Sequence, residues 1–371
     1  MPPAPVEALA RASLPVGSRP PVDVSVSAVG LVAGRYQIDG MLGRGGMGQV
    51  LRAHDLFSDR PVALKRFALG PDARDEELRF RHEFHTLARL RHPRIVEAYD
   101  FGVDDKERPF YALELLDGRD FSELAPVPWR RACGLLRDVA SALAFLHARQ
   151  LLHRDVAPRN VRCTDDGRAK LIDFGMLATM GISHEVVGTL PAIPPEMLLG
   201  LPMDGRADLF GLGALAFFLL TGRHPQRIRS LDDLMRNGRR PPPAPSRLVP
   251  EIPPALDDLV LSLLSTEPLG RPSSAAEVIE RLAALAELPA APELEVAQGY
   301  VSSAILVGRE RELTLARRRI ERAAQGHGGT ILVEGRSGMG KTRLLREIEL
   351  EAKLAGAVVL HGEGGAAGPY A

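Results

Sequence analysis

The feature that most constrains this chain is a glycine string, Gly43-Arg44-Gly45-Gly46-Met47-Gly48-Gln49-Val50, set between two strand-like runs. Glycines between strands can mark no more than a tight hairpin. The residues after the string narrow the choice. A dinucleotide site of this spacing needs a helix after the last glycine, and here the chain continues as another strand-like run into Ala53. That context favours a flexible lid whose backbone N–H groups lie over nucleotide phosphates.

The next run, Arg60-Pro61-Val62-Ala63-Leu64-Lys65-Arg66-Phe67, alternates as a strand and carries Lys65. Residues 72–90 then read as a helix in which Glu83, Leu87 and Leu90 share one face by their i, i+4, i+7 spacing. Glu83 therefore points inward, and a buried carboxylate must be paired. A Lys65–Glu83 ion pair would hold the lysine against phosphates. After a strand candidate at 110–115 the chain is mainly helical to about Leu288, interrupted by a hairpin signal at Asp166-Gly167. The pattern predicts a small β-rich lobe followed by a larger helical one.

The length of 371 residues suits about two domains. The 47 Lys and Arg balance the 47 Asp and Glu, so charge gives no reason to expect nucleic acid or an acidic membrane as partner. Cys133 and Cys163 stand apart with no metal-binding spacing, which fits a reducing cytoplasm. The apolar run 211–220 is about half of what a membrane span needs and reads as a buried core helix. Residues 1–33, broken by prolines and lacking a basic start and apolar block, read as a disordered arm. The proline-rich stretch 239–254 reads as a surface loop because helices resume at once; 288–304 precedes a change of pattern and reads as a linker.

Further motifs arrive in a fixed order: His153-Arg154-Asp155, then Asn160, then Asp173-Phe174-Gly175. With the glycine string, Lys65 and Glu83, they strongly resemble the eukaryotic-like protein kinases, in particular bacterial Ser/Thr kinases. The resemblance covers about 36–287 and implies an α+β, bilobal protein kinase fold, with a kinase domain at 34–287 divided into an N-lobe 34–116 and a C-lobe 117–287. It implies ATP and Mg²⁺ as cofactors and proteins carrying Ser/Thr as substrates, with self-association for autophosphorylation as a further option. By the same resemblance Asp155 is the catalytic base, Asn160 and Asp173 are the metal ligands, and Leu42, Gly43, Gly45, Gly48, Val50 and Lys65 hold the nucleotide. Leu113 falls at the gatekeeper position, with Glu114 to Leu116 in the adenine-binding hinge. Asp208 matches a buried aspartate that braces the catalytic loop, and Arg271 an arginine that pairs with Glu196. Pro194-Pro195-Glu196 resembles the end of the family's activation segment, with Pro194 in place of the usual alanine.

One departure concerns chemistry. Ser/Thr kinases usually carry a lysine two residues after the catalytic aspartate, where this chain has Ala157; losing such a donor can cost about 10²- to 10³-fold in rate. Tyrosine kinases also have alanine there, followed by an arginine that does related work, and Arg159 occupies that place. Gly188-Thr189 resembles the Ser/Thr form of the substrate segment. An active Ser/Thr kinase is the first expectation and a nucleotide-binding pseudokinase or scaffold the alternative, favoured by Ala157 alone. By the same resemblance, Arg154 beside the catalytic aspartate implies that a phosphorylated activation segment could pair with it; Thr179 and Ser183 are candidates, whereas Thr189 is expected on the catalytic loop.

Near the end, Gly335-Arg336-Ser337-Gly338-Met339-Gly340-Lys341-Thr342 fits the P-loop pattern between a strand candidate at 331–334 and a helix. There N–H groups would cradle phosphates, Lys341 would reach the β- and γ-phosphates and Thr342 would bind Mg²⁺. With Leu306-Val307-Gly308-Arg309-Glu310, the stretch 305–371 resembles the start of an AAA-like P-loop ATPase domain. Only one more strand candidate, 357–361, comes after it, so the fragment is expected to be truncated, without an acidic metal-binding strand, and hydrolysis there is not expected.

Overall fold

The computed structural model describes residues 30–45, 48–67, 73–183, 185–237, 241–289, 308–336, 338–360 and 362. Most of the arm and linker expected from the sequence, with Leu306 and Val307, lies outside them. The chain divides into two compact units, one of 91–96 and 116–302, the other of 26–90, 97–115 and 303–371.

The smaller unit is built on a six-stranded antiparallel sheet of β1 (Leu31–Val32), β2 (Tyr36–Gly45), β3 (Gly48–Asp55), β4 (Arg60–Phe67), β5 (Ala98–Val103) and β6 (Pro109–Glu114), in the order β1-β2-β3-β4-β6-β5. Period-2 alternation puts Tyr36, Leu51, Ala53, Val62, Leu64, Phe110 and Ala112 into one apolar cluster. Val32 joins that cluster and Leu31 pairs with Gln37, which corrects the expectation that the arm extends unstructured to residue 33: its end is recruited as an edge strand. Helix α1 (Ala73–Leu87) buries Phe80, Phe84 and Leu87, and Phe84 stacks near Phe101 and Tyr111 of the sheet.

The larger unit is mainly helical. Its elements are β7 (Arg119–Asp120), α2 (Phe121–Leu124), α3 (Trp129–His147), β8 (Leu151–Leu152), β9 (Val161–Cys163), β10 (Ala169–Leu171), β11 (Ala178–Thr179), α4 (Pro195–Leu198), α5 (Arg206–Thr221), α6 (Leu231–Asn237), α7 (Pro254–Leu263) and α8 (Ala275–Ala286). The apolar run 211–220 lies in α5, whose residues are buried on nearly all sides, and the helix stops at Gly222 in the left-handed conformation. The Asp166-Gly167 signal makes the β9–β10 hairpin, with Gly167 at φ 77°. The segment 241–253 is a loop apart from a single 3-10 turn at Pro245–Arg247, and Pro254 opens α7.

Helices α9 (Glu310–Ala324) and α10 (Lys341–Leu354) fall in the same compact unit as the sheet of β1–β6. The two strand candidates beside them, 331–334 and 357–361, are not strands among the described residues. Leu332 is 76% exposed and Leu360 80%, so neither run has the paired, half-covered surface that would make its apolar residues a strand.

Candidate active site

Each unit carries a set of the residues singled out by sequence. In the smaller unit β2 and β3 form the glycine hairpin, with Gly43 opposite Val50 and Gly45 opposite Gly48; its tip, Gly46 and Met47, lies outside the described residues. Gly48 has a positive φ, and a Cβ there would run into the Arg66 carbonyl of β4. Only glycine lets the lid strand lie this close to its neighbour. Lys65 sits in β4 and its Nζ donates to Glu83 Oε1 at 2.7 Å, with the Glu83 side chain 3% exposed. The inward face read from helical spacing holds for Glu83 and Leu87; Leu90 is buried as well but lies past the end of α1, which stops at Leu87 and not at 90 as expected. The second carboxylate oxygen, Glu83 Oε2, is buried with no hydrogen-bond partner. Leu113 and Glu114 end β6, where the Glu114 N–H donates to the Glu97 carbonyl at 2.8 Å; Leu116 lies in the other unit.

In the larger unit the turn after β8 is the feature around which the rest is organised. Arg154 has φ 65°, a conformation a non-glycine residue holds only when its surroundings over-determine it. The backbone N–H groups of His153 and Arg154 both donate to Asp208, at 2.9 and 2.8 Å. Asp208, 2% exposed in α5, also bonds His147 Nε2 at 2.8 Å. Burial pushes this carboxyl up, but the His147 bond and charge, with the Arg154 N–H, hold it below its ordinary value. A permanent buried anion therefore pins the turn, as the sequence reading of Asp208 required. Its partner His147 had no signal in the sequence: nothing in spacing links the end of α3 to α5.

The pinned turn presents Asp155, and both of its carboxylate oxygens are held. Oδ1 accepts from the Thr189 N–H and hydroxyl, each at 2.8 Å, and Oδ2 accepts from Asn160 Nδ2 at 2.7 Å. Asn160 also accepts the Ile172 N–H at its carbonyl, which ties it to the residue before Asp173. Asp173 Oδ1 accepts the Gly175 N–H at 3.2 Å. Gly188 keeps the 188–189 segment against this loop, since a Cβ there would stand 2.6 Å from the Arg154 carbonyl. Thr189 thus packs on the Asp155 loop, where the sequence reading put it. Of the two other hydroxyls, Ser183 accepts from Arg154 Nη1 at 3.1 Å, while Thr179 is exposed in β11. Arg154 Nε is committed to the Met176 carbonyl.

Ala157 is 2% exposed, and Arg159 is exposed beside His224, whose imidazole is held below its ordinary value first by burial and then by the Arg159 charge. The expected buttress forms as well: Arg271 bonds both Glu196 oxygens, at 2.6 and 2.8 Å, in a fully buried pair.

The P-loop motif presents a different picture. Gly338 and Gly340 take φ near 80°, Gly340 caps α10, and Lys341 Nζ folds back onto the Gly335 and Arg336 carbonyls at 2.7 and 2.9 Å. Thr342 lies in the first turn of α10, and Ser337 lies outside the described residues.

A family model for the protein kinase domain matches residues 36–282. This chain belongs to the protein kinase family. It is 37% identical to a probable serine/threonine-protein kinase of Streptomyces coelicolor, over 67% of this chain and 39% of that protein. It is 34% identical to PknL of Mycobacterium tuberculosis, over 76% of this chain and 71% of PknL. The PknI kinase domain of M. tuberculosis superposes with a TM-score of 0.56 at 31% identity, covering 71% of this chain and all of that domain. The kinase thus spans well under half the length of the first relative. Its lobes, a β-sheet lobe and a helical lobe, are those of the family. Among the described residues no helix is long and apolar enough to cross a membrane.

Proposed function

We propose that the protein transfers the γ-phosphoryl group of Mg·ATP to Ser or Thr hydroxyls of proteins, in bacterial signal transduction within the cytoplasm. The observation that carries this reading is the Asp155 carboxylate, anchored at one oxygen by Thr189 and at the other by Asn160. Phosphoryl transfer asks little covalent chemistry of a protein and depends on positioning and charge. Asp155 is the group that orients the incoming hydroxyl and takes its proton. Lys65, held by Glu83, presents a fixed cation to the α- and β-phosphates, and the hairpin of Leu42, Gly43, Gly45, Gly48 and Val50 covers them with N–H groups. Glu114 and Leu116 hold adenine through their backbone.

The donor set suits magnesium. Asn160 turns its amide nitrogen to Asp155, which leaves its amide oxygen as a hard ligand, and Asp173 supplies a carboxylate. No cluster of three or more His, Cys, Asp or Glu side chains that could hold a metal ion is present among the described residues. Mg²⁺ needs no such cage, because it is held by one or two protein oxygens together with phosphates and water. When bound, the ion neutralises charge developing on the phosphates. Arg159 takes the part of the missing lysine at 157.

The domain partition that accompanies this reading is a kinase domain from β1 at 31 to 287, a linker at 288–304 and an AAA-like fragment at 305–371 holding phosphate with Gly335, Gly340, Lys341 and Thr342. A second reading, a nucleotide-binding scaffold that regulates an attached ATPase module, is favoured by the buried Ala157. The test is incorporation of labelled γ-phosphate into the protein and a generic basic substrate, with phosphoamino-acid analysis of the product. Phosphoserine or phosphothreonine that disappears in Asp155→Asn supports the kinase; a wild-type chain that binds ATP but transfers nothing supports the scaffold.

A further inference from the structure

Helix α1 has two working faces. One carries Phe80, Phe84 and Leu87 into the sheet and Glu83 to Lys65. The opposite face, with Arg81 and His85 at i, i+4 spacing and Arg89 in the turn that closes the helix, is covered by α10 of the same compact unit. Arg89 donates from Nε and Nη2 to Glu347 Oε2 at 3.0 and 2.8 Å. Arg81 Nη1 donates to the Leu354 carbonyl at the C-terminal end of α10, at 3.0 Å, where a cation also meets the negative end of the helix dipole. Lys353 reaches β5, donating to the Tyr99 carbonyl at 3.0 Å.

A helix resting on a surface by chance would keep its charges in water. Glu347 is 5% exposed, flanked by buried Leu344 and Leu350, and is shared by Arg89 and by Arg343 one turn back on its own helix. A carboxylate taken out of water and matched by two guanidinium groups is a built contact. Helix α9 supports α10 in turn, through buried Ala316 and an Arg317–Glu351 ion pair of 2.6 Å.

We propose that the α9–α10 hairpin is a brace acting in cis on the kinase: Glu347, through Arg89, is a positioning residue that fixes α1 so that Glu83 meets Lys65. Glu347 lies on the face opposite the ion pair it controls and touches no reacting group. The inference rests on the kinase reading only for its rate readout. The geometric part concerns the orientation of α1 about its axis, which the outward contacts fix and the Lys65–Glu83 pair requires.

The test uses the full chain with Glu347→Arg, Arg89→Glu, the double charge swap, and Glu347→Gln as a variant that keeps the side-chain shape. Initial rates are measured against ATP concentration, with amide hydrogen exchange of 77–89 and 341–354 and a thermal melt of each variant. Each single charge reversal is expected to speed exchange in both helices and to lower kcat/KM for ATP by about 10-fold, and the swap to restore most of the loss, as directly coupled pairs do. Glu347→Gln should fall between. The proposal is overturned if the rates stay within about twofold of wild type, whether or not exchange rises, or if the swap fails to recover what the single changes lose. A wild-type chain without transfer would sink the kinase reading alone, because exchange in 77–89 still reports whether Glu347 holds α1.

Discussion

The chain contains two glycine-and-lysine motifs, and they differ in what surrounds them. The first, 43–50 with Lys65, is a hairpin inside a six-stranded sheet, its lysine held by a buried carboxylate. The second, 335–342, opens a helix but has no strand ladder beside it among the described residues, and its lysine is turned onto its own loop. Both match their patterns equally well on paper. The comparison teaches that such a motif specifies a local backbone, whereas a working site also needs the sheet and partners that fix the lysine against that backbone.

The largest effect should separate the two motifs outright. Asp155→Asn keeps the shape but removes the proton acceptor and should lower the rate of transfer by about 10³-fold, within the range for a lost general base. Lys341→Ala should leave the rate within about twofold, because Lys341 bonds the Gly335 and Arg336 carbonyls of its own loop. Loss of transfer in Lys341→Ala, measured with the same labelled ATP, would break the comparison and make the second motif part of the kinase site.

The next effect uses one substitution in both settings. Gly48→Ala puts a methyl group into the Arg66 carbonyl and should destabilise the protein by about 3 kcal/mol, combining overpacking with a backbone conformation unfavourable to side chains. Gly338→Ala has the same kind of backbone penalty but nothing within 4 Å of the new Cβ, so about 1 kcal/mol is expected, confined to α10. Chemical denaturation monitored by circular dichroism measures both. Equal losses would mean that the first hairpin is as loose as the second.

That contrast also marks what could be read from the sequence. Lys65, Glu83, Asp155, Asn160, Thr189, Asp208 and Arg271 were legible because each lies in a dense local pattern, and Glu83 was further fixed by helical spacing. The strand candidates at 331–334 and 357–361 were misread because apolar alternation states only that a run could pair, not that a partner exists. His147 on Asp208, and Asp138 gathering Arg94 and the Ala169 N–H, are contacts between elements with no shared periodicity. Arg89 and Glu347 are separated by 258 residues, so no local pattern could have joined them.

A smaller effect concerns the apolar side chains left outside. Leu332, Val358 and Leu360 are 68 to 80% exposed. Changing Leu332 and Leu360 to Asp should alter unfolding free energy by no more than about 0.5 kcal/mol, as for other exposed positions. The same changes should reduce concentration-dependent association measured by light scattering, since exposed apolar extended chain is a ready partner for its like. The equivalent change inside the first sheet, Leu64→Asp, would bury a charge and unfold the lobe. A large stability loss from Leu332→Asp would show that the second motif has a covered sheet after all.

The smallest effect is a pH dependence at the junction of α1 and α10. Burial, with Arg89 beside it, pulls the His85 imidazole down to about 4, against an opposite pull from Glu351 and Glu347 and a further downward one from His82. The folded chain therefore refuses a proton that the unfolded chain takes near pH 6.5, the ordinary value for histidine. Stability is complete above about 6.5 and declines as pH falls from there towards 4, because the unfolded state binds more protons throughout that window. His92 in the larger unit, lowered to about 3 mainly by burial, declines in the same direction over a wider range and gives the internal comparison. Melting temperatures recorded at pH 7, 6 and 5 should fall less steeply in His85→Asn than in the wild type, by a few degrees at most. The flattening should vanish in Glu347→Arg, where α10 no longer shields the imidazole; if His85→Asn flattens the profile equally in both backgrounds, α10 is not what keeps that proton off.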